Sequence, residues 1–378
     1  MDSSDSSFIL KFAEYQIYHQ NQYLLMNKSL IYYALVACTL MSQNKAVADD
    51  NAPRRPQFDA THPDVHDPVM AKGEDGRYYI FATGMGVGVM SSEDMKEWKI
   101  EPSVFKEAPA WAVDTVKGYH GHTWAPDISR HNNEWHLYYS CSTFGKNGSA
   151  IGHAVNKTLD PSSPDFKWID KGMVIASHRK QDNWNAIDPN LIVDDNGTPY
   201  LTFGSFWDGI QLVKLSKDDF TTPVNKPVTI ARRLNRAVTV EEMNNPENFT
   251  TEGNNVIEAG ENAIEAPFIF KHGDYYYLFV SFDYCCRGQN STYKTVYGRS
   301  KNIEGPYIDK EGKRMELGGG SYLYGPDDTY FGVGHCAAYE FDGQPYFISH
   351  AYEKDQNGRA KLFIRPLAFD KEGWIVTK

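Results

Sequence analysis

The sequence predicts an all-β protein and, within that class, a five-bladed β-propeller. Runs rich in Tyr, Phe, Thr and Val, which are typical of strands, dominate the chain after residue 62. One pattern also returns five times: an acidic residue or His, a short apolar run, a turn and then an aromatic strand. A long repeat with strand-type patterning indicates a propeller. The repeats are residues 66–83, 124–140, 186–205, 264–281 and 334–350.

Each repeat predicts the inner strands of one blade. The stretches RYYIFAT, EWHLYYS, PYLTFGSFW, YYYLFVSF and PYFISHAY follow Gly, Asn or Asp, directly or after one further residue, as a hairpin turn requires. The repeats open on Asp67, Asp127, Asp188, Glu265 and His335. Because the inner strands of a propeller surround one axis, we expect these side chains to gather in one pocket. Asp127 follows its Pro, whereas Asp67 precedes its Pro, so we expect Asp127 to be offset by one place and to play a supporting role.

The remaining segments complete the predicted ring. Residues 216–262 are polar and rich in turn residues, which predicts the end of a blade and a long loop, with a short helical pattern near 238–245. Residues 365–378 predict a last strand pair. Pairing of the mature N-terminus with that blade would close the ring, a point that the sequence alone does not show.

The N-terminus predicts export from the cytoplasm. We interpret residues 1–48 as an extension plus a signal peptide that starts at Met26, and residues 49–378 as one propeller domain. The leader has an early Lys, an apolar run over 29–41 and a small-residue cleavage site before Asp49. A buried or membrane-anchoring segment is one alternative, although the run is short for a bilayer. Lipidation of Cys38 is another, and would anchor an otherwise free protein to a membrane.

Charge and composition exclude some partners. The formal net charge is −11 and the chain has no Lys/Arg-rich run, which argues against nucleic acid and anionic membrane surfaces as partners. Hydrophobic residues make up 41% and charged residues 23%, which is ordinary for a folded protein. A neutral substrate and a monomeric state fit this composition.

The cysteines do not predict a disulfide framework. After removal of the leader four remain, with no CxxC pair of the zinc type. Cys141 lies in a strand pattern and is expected to be a small buried thiol. We interpret the adjacent pair Cys285 and Cys286 as two thiols on opposite faces of a strand end, in preference to a vicinal disulfide.

Three acidic residues of the repeats suit glycosidic bond hydrolysis. That reaction needs one protonated carboxyl group to assist the leaving oxygen and one ionised carboxylate to activate water or to attack. A third carboxylate helps to separate their pKa values. Asp67, Asp188 and Glu265 provide such a set. Each of them alone could be an ordinary turn residue, and it is their recurrence that favours catalysis.

Several motifs in order resemble the endo-acting arabinanases of glycoside hydrolase family 43. The resemblance runs from about residue 62 to the C-terminus through VHDPVM, HTWAPDIS, YYSCSTFGKNGSAIG, NAIDPNL, FGSFWDGIQL, AIEAPFI, CCRGQNSTY, YGRS and GVGH. It implies a five-bladed propeller that cleaves internal α-1,5 links of linear arabinan and arabino-oligosaccharides with inversion. With the leader, it also implies a secreted or periplasmic bacterial enzyme.

The resemblance assigns roles to the three acidic residues. It matches Asp67 to the general base, Glu265 to the general acid and Asp188 to the carboxylate that orients the acid and tunes its pKa. Inversion would require the carboxyl groups of Asp67 and Glu265 to lie roughly 6.5–9.5 Å apart, which leaves room for water.

The resemblance also implies an ion at the centre of the propeller. His335 of GVGH matches a histidine beside a calcium or similar ion, and Val333 replaces a Pro that the family often has there. Calcium prefers oxygen ligands, so the resemblance implies that water supplies most of its shell.

Substrate contacts are predicted beside the motifs. Trp124 and Phe144 match aromatic positions that flank the family's cleft, where a flat ring suits the C–H face of a furanose. Asn185 and Ser205 could bond sugar hydroxyls, and the resemblance places Cys286 at the cleft wall. Core packing is the alternative for the aromatic pair, because the chain has many aromatic residues to bury.

Three other activities remain open at this point. An exo-acting α-L-arabinofuranosidase or β-xylosidase could use the same fold with a blocked cleft, although the CCRG and FGKN motifs favour the endo mode. A sugar-binding propeller without catalysis would not need the three carboxylates. A retaining fructan-type hydrolase would open on Asn-Asp-Pro-Asn, whereas this chain has His66-Asp67-Pro68.

Overall fold

The computed structural model describes residues 58–234, 239, 241 and 262–377. Residues 58–378 make one compact unit. The predictions for Met26, Cys38 and Asp49 lie outside the described residues. So does most of the segment predicted as a loop over 216–262, with nearly all of its helical pattern near 238–245. Among the described residues, no helix has the length and apolarity needed to cross a membrane.

The first two blades are four-stranded and five-stranded sheets with orders β1-β2-β4-β5 and β3-β6-β7-β8-β9. One short helix, α1 (Ala110–Thr115), lies between them in sequence. The strands are β1 (Val69–Lys72), β2 (Tyr78–Ala82), β3 (Gly84–Met85), β4 (Gly88–Ser92), β5 (Lys99–Glu101), β6 (His122–His131), β7 (Glu134–Cys141), β8 (Ser149–Asn156) and β9 (Ile169–Ser177).

The other three blades follow the same antiparallel order. The third is β10-β11-β12-β13, the fourth is β14-β15-β16 with β17 paired to β16, and the fifth is β18-β19-β20. A single parallel pair, Lys294 with Val333, joins β16 to β18 and makes the last two blades one continuous seven-stranded sheet. A C-terminal hairpin, β21-β22, follows them. The strands are β10 (Asn190–Val193), β11 (Pro199–Phe203), β12 (Ile210–Lys214), β13 (Val228–Ala231), β14 (Ile264–His272), β15 (Tyr275–Phe282), β16 (Lys294–Ser300), β17 (Ser321–Tyr324), β18 (Tyr330–Phe341), β19 (Gln344–Glu353), β20 (Arg359–Pro366), β21 (Ala368–Phe369) and β22 (Ile375–Val376). The predicted five-bladed propeller is confirmed.

The start of the described chain closes the ring on the last blade. Asp64 forms an antiparallel bridge with Lys361 of β20. The Val65 N–H donates to the Ala360 carbonyl at 3.1 Å, and the Leu362 N–H donates to the Pro63 carbonyl at 3.1 Å. The strand closure that the sequence left open is therefore made by the residues just before β1.

Each blade has one residue with left-handed backbone in its inner strand or two residues before it. These residues are Asp67 (φ 54°), Ala125 (39°), Asp188 (58°), Ala266 (54°) and His335 (52°). The strand ladders of β6, β14 and β18 shift register at this point, as a β-bulge requires. The left-handed residue is thus the true repeat position, which corrects two expectations. Glu265 lies one residue before it, and Asp127 lies two residues after it and not one.

The last residue of each repeat bonds to the start of the next blade. Four of the five accept a backbone N–H from the left-handed residue there, and Ser205 instead donates to a side chain beside it. The pairs are Thr83 Oγ1 with Ala125 N (2.9 Å), Ser140 Oγ with Asp188 N (3.0 Å), Ser205 Oγ with Glu265 Oε2 (2.8 Å), Ser281 Oγ with His335 N (2.8 Å) and His350 Nδ1 with Asp67 N (3.1 Å). Neighbouring blades are therefore joined at the left-handed residues that begin or interrupt their inner strands.

Asp127 has the supporting role expected of it. It is 1% exposed, and burial raises its pKa to about 7. Its carboxylate accepts hydrogen bonds from the Leu191 N–H at 2.8 Å and from Asn190 Nδ2 at 3.1 Å. The Oδ1 atom of Asn190 in turn accepts the Ile269 N–H at 2.8 Å. These bonds join the second, third and fourth blades behind the site.

The core consists of apolar strand residues packed between adjacent sheets. Phe81, Tyr139, Phe279 and Phe347 are each at most 2% exposed and belong to one cluster that spans four blades. Cys141 in the same cluster is buried, as predicted. Cores of this size supply the free energy that holds the sheets together.

Three histidines lie close together in the second blade, and two of them stack. The rings of His136 and His153 are 5.2 Å apart and nearly parallel, and His153 lies 4.6 Å from the ring of Tyr138. His136 Nδ1 and His153 Nε2 share a hydrogen bond of 3.0 Å. Burial lowers the pKa of His153 to about 3, and burial with the neighbouring His136 lowers the pKa of His131 to about 4.

These histidines predict a loss of stability in acid. Their folded-state pKa values are depressed, so the unfolded chain takes up protons that the folded chain cannot, and the stability they contribute is lost as pH falls below about 6.5. Between pH 7.5 and 5.0, the free energy of unfolding of His153→Gln should fall by about 2 kcal/mol less than that of the natural chain. Urea unfolding at both pH values measures this difference.

The exposed His120 provides the matched control. His120→Gln should show the pH dependence of the natural chain. Equal falls for His153→Gln and the natural chain would show that His153 binds its proton equally well in the folded and the unfolded chain.

Candidate active site

Asp67 sits at the axis with three hydrogen-bond donors on its carboxylate. Oδ1 lies 3.0 Å from His335 Nδ1 and 2.9 Å from His66 Nδ1, and Oδ2 accepts the Thr83 hydroxyl at 2.5 Å. Burial raises the pKa of Asp67, but the charges and hydrogen bonds of His335 and His66 outweigh it and hold that pKa well below its usual range. Asp67 is therefore ionised and fixed in orientation.

A chain of hydrogen bonds sets the proton positions around Asp67. His350 Nδ1 accepts the Asp67 N–H, so the proton of His350 is on Nε2, which faces the Tyr352 hydroxyl at 3.2 Å. The Tyr352 oxygen also accepts the Cys286 N–H at 2.8 Å. It also lies 2.8 Å from His66 Nε2, while His66 Nδ1 faces Asp67. Burial lowers the pKa of His66, but Asp67 and Cys286 raise it well above its usual range, so this ring carries a proton on both nitrogens.

Asp188 and Glu265 form a second acidic pair beside Asp67. The two are 6% and 9% exposed. Asp188 Oδ2 accepts the Ala266 N–H at 3.1 Å, which ties it to the strand of Glu265. Burial raises the pKa of both groups. For Asp188, the negative charges of Glu265 and Asp67 add to the effect of burial, the positive charge of His335 opposes it, and the resulting pKa is about 8. Since interacting carboxyl groups titrate together, the pair retains a proton near neutral pH.

His335 interacts with all three carboxyl groups. Burial lowers its pKa, but the negative charges of Asp67, Asp188 and Glu265 raise it to about 9. The residue before it, Gly334, has no room for a side chain, because an added Cβ would lie 2.4 Å from the Tyr293 ring. The glycine of the GVGH motif thus lets the backbone approach Tyr293 and bring His335 to the axis.

The predicted substrate residues lie in different environments. Phe144 is 79% exposed, and Trp124 is half-buried with its Nε1 donating to His122 Nδ1 at 2.9 Å. Asn185 is buried and its Oδ1 accepts the Ser149 hydroxyl at 2.7 Å. The hydroxyl of Ser205 is directed to Glu265. Contact of these four side chains with sugar stays a prediction.

The interpretation of the cysteine pair as thiols on opposite faces is wrong. Both are free thiols, but their sulfurs lie 2.7 Å apart. Cys286 has left-handed backbone (φ 61°) and follows β15 in a loop, so the alternation of a strand does not apply to it. Its sulfur lies 3.8 Å from His66 Nε2, which places it beside the carboxylates.

Sequence reasoning missed the residues that hold the carboxylates. They are His66, Thr83, Ser140, Ser281, His350 and Tyr352. The signal was present for four of them, because each of those four ends a repeat near the end of the second strand of its blade. His66 stands next to Asp67 and Tyr352 stands two residues after His350, but neither has a counterpart in the other repeats.

The histidines allow a test of the predicted ion site. His66, Asp67 and His350 could present ligand atoms within 4.8 Å of one another. However, His350 Nδ1 already accepts the Asp67 N–H, so this set is not free to bind. His335 uses Nδ1 for Asp67, and its Nε2 has no hydrogen-bond partner among the described residues. Below about pH 9 His335 carries a proton on this nitrogen, so an ion here would be held through water or would displace that proton.

Buried carboxyl groups with separated pKa values, gathered at the axis of a five-bladed propeller, define a glycoside hydrolase. The chain belongs to glycosyl hydrolases family 43, whose model matches residues 61–375.

Two curated relatives cover most of the chain. An extracellular exo-α-(1→5)-L-arabinofuranosidase of Cellvibrio japonicus is 47% identical over 82% of this chain and 85% of its own length. An extracellular endo-α-(1→5)-L-arabinanase of Bacillus subtilis is 40% identical over 82% of this chain and 86% of its own. The recognised family and an arabinan-degrading activity class are thereby confirmed.

Solved structures agree with the fold. An exo-1,5-α-L-arabinanase from a bovine ruminal metagenomic library is 60% identical, with a TM-score of 0.78 over 85% of this chain and 99% of that one. The α-L-arabinanase of Cellvibrio cellulosa complexed with arabinohexaose is 46% identical, with a TM-score of 0.76 over 83% of this chain and 95% of that one.

Proposed function

We propose that this glycoside hydrolase cleaves α-1,5-L-arabinofuranosidic links of linear arabinan with inversion. One observation carries the chemistry. The environments of Asp67 and Glu265 shift their pKa values in opposite directions, downward for Asp67 and upward for Glu265. Such a pair provides a base and an acid at the same pH. The named activities of the relatives support arabinan as the substrate.

In this proposal Asp67 acts as general base and Glu265 as general acid. Asp67 removes a proton from a water molecule, whose oxygen attacks the anomeric carbon while Glu265 protonates the departing sugar oxygen. Asp188 orients the strand of Glu265 through the Ala266 N–H and keeps a proton on the acidic pair. The three donors on Asp67 keep its carboxylate aimed at the water.

Other parts of the site have assigned roles in the proposal. The exposed ring of Phe144 and the half-buried ring of Trp124 bind furanose faces. A calcium or similar ion, held largely through water near His335 Nε2, would supply fixed positive charge at the axis. The relatives' extracellular location supports secretion, with lipid anchoring at Cys38 as the alternative, and we propose a monomer.

The mode of attack has two candidates. The CCRG and FGKN motifs favour endo attack on internal links. The exo mode is the second candidate, and identity favours it: relatives named exo are 60% and 47% identical to this chain, whereas the endo-acting relative from Bacillus subtilis is 40% identical.

Replacing the acid tests the chemistry. We expect Glu265→Gln to lower kcat/KM on linear arabinan by a factor of at least ~100, because general acid assistance contributes that much or more. An aryl arabinofuranoside with an acidic phenol should lose far less, because its leaving group needs no proton. Steady-state kinetics on both substrates measure the ratio.

The exposed Glu107 gives the control, since Glu107→Gln makes the same change away from the site. Unchanged turnover of arabinan by Glu265→Gln would overturn the proposal. Arabinan binding that persists while turnover is lost would exclude a sugar-binding protein that lacks catalysis.

The hydroxyl of Ser205 should lower the pKa of the acid. It donates to Glu265 Oε2 and so favours the ionised form, in opposition to burial. Ser205→Ala removes this bond, so we expect the alkaline limb of kcat/KM to move up by about one pH unit, since one unit corresponds to ~1.4 kcal/mol. The pH profile measures the limb.

Ser129 is the control here, because its buried hydroxyl has no partner among the described residues. Ser129→Ala should leave the limb in place. A limb that stays fixed or moves down in Ser205→Ala would show that Ser205 does not act on the acid.

Product sizes over time decide the mode of attack. With residues 49–378 acting on debranched arabinan, an endo enzyme gives medium-length oligosaccharides early and a rapid fall in viscosity. An exo enzyme releases one short product from the start, while viscosity falls slowly. Turnover of xylan fragments without turnover of arabinan would keep the carboxylates and discard the substrate.

A further inference from the structure

Two thiols meet beside the carboxylate site without a role in the proposed hydrolysis. The sulfurs of Cys285 and Cys286 lie 2.7 Å apart in the loop after β15. Cys286 is exposed and Cys285 is half-buried. Cys141 and Cys336 are buried in the core, at 0% and 3% exposure. Among the described cysteines, this pair is the accessible one.

The backbone and the neighbours hold the pair in this arrangement. The left-handed backbone of Cys286 turns its side chain toward Cys285, and its N–H is fixed on the Tyr352 hydroxyl at 2.8 Å. His66 Nε2 lies 3.8 Å from its sulfur. The hydrogen bond from the Cys285 thiol, aided by His66 and opposed by burial, lowers the pKa of Cys286 to about 5.

We propose that Cys285 and Cys286 form a reactive dithiol that exchanges with low-molecular-weight disulfides, with Cys286 as the attacking thiol and Cys285 as the resolving thiol. Three observations assign these roles: the contact between the sulfurs, the exposure of Cys286 alone and the hydrogen bond that Cys285 supplies. A shared proton between adjacent thiols is the arrangement that makes one of them nucleophilic.

The exchange proceeds in two balanced steps. The Cys286 thiolate attacks a disulfide RSSR, forming a Cys286–SR mixed disulfide and releasing RS⁻. The Cys285 thiol then attacks the Cys286 sulfur, the second RS group leaves with the Cys285 proton as RSH, and a Cys285–Cys286 disulfide results. The small disulfide is reduced to two thiols and the protein dithiol is oxidised, with no other reactant.

Of the two oxidised states, only the mixed disulfide can obstruct the carboxylate site. A mixed disulfide adds a bulky group next to His66, which bonds to Asp67. The closed ring adds no atoms. The resolving step by Cys285 thus frees the site of the adduct, and this protection is the role that we infer for the second thiol.

Intact mass of the folded chain tests the proposal without a measurement of hydrolysis. The natural sequence over residues 49–378, which lacks Cys38, is fully reduced with a phosphine, freed of the phosphine and exposed to glutathione disulfide. We expect it to lose two hydrogens, to carry no glutathione and to resist alkylation by iodoacetamide afterwards. Cys285→Ser should instead retain one glutathione, and Cys286→Ser should retain none on the same time scale.

Each other result overturns the proposal. Glutathione retained by the natural chain would show that Cys285 does not resolve, and no reaction would show that Cys286 is not nucleophilic. The double variant Cys285→Ser/Cys286→Ser must stay unmodified, or Cys141 and Cys336 are the reacting thiols. If the single variants fail to fold, peptide mapping of the oxidised natural chain still decides, because the disulfide must join the two adjacent cysteines.

Discussion

The hydrogen bonds between the end of each repeat and the start of the next blade hold both the ring and its site. In each case a side chain near the end of a second strand reaches the start of the inner strand beside it. A left-handed residue there leaves its N–H without a ladder partner. Four of the bonds satisfy that group, and the fifth, from Ser205, instead holds the Glu265 carboxylate. Stability and site geometry therefore depend on the same atoms.

Burial at the axis gives those side chains their chemistry. Carboxyl groups with less than a tenth of their surface exposed resist ionisation, and Asp188 and Glu265 follow this rule. Asp67 departs from it because two histidines and a threonine donate to it. The neighbouring groups thus lower the pKa of one carboxylic acid and burial raises that of the others. The proposed base and acid differ mainly in their surroundings, because both are carboxylic acids.

The hydrogen-bond chain around Asp67 also reaches the two thiols. Because the Asp67 N–H occupies Nδ1 of His350, that ring presents its proton to Tyr352, whose oxygen also lies beside His66 Nε2. The same tyrosine holds the Cys286 backbone, so the thiol pair and the carboxylate share one neighbour. The proposed hydrolysis and the proposed thiol exchange remain separate in their tests because the latter is measured by mass alone.

The sequence by itself determined the five-bladed fold, the three carboxylates and the buried Cys141, because repeats and strand patterns are local properties of the chain. It did not place Glu265 and Asp127 correctly within their repeats, because a bulge is defined by the register of two strands. It also missed His66, His350 and Tyr352 and misjudged the cysteine pair. Those side chains meet across the junction of the last and first blades, or in a loop with left-handed backbone. Only the closed ring brings them together, because contacts between residues nearly three hundred positions apart leave no local pattern.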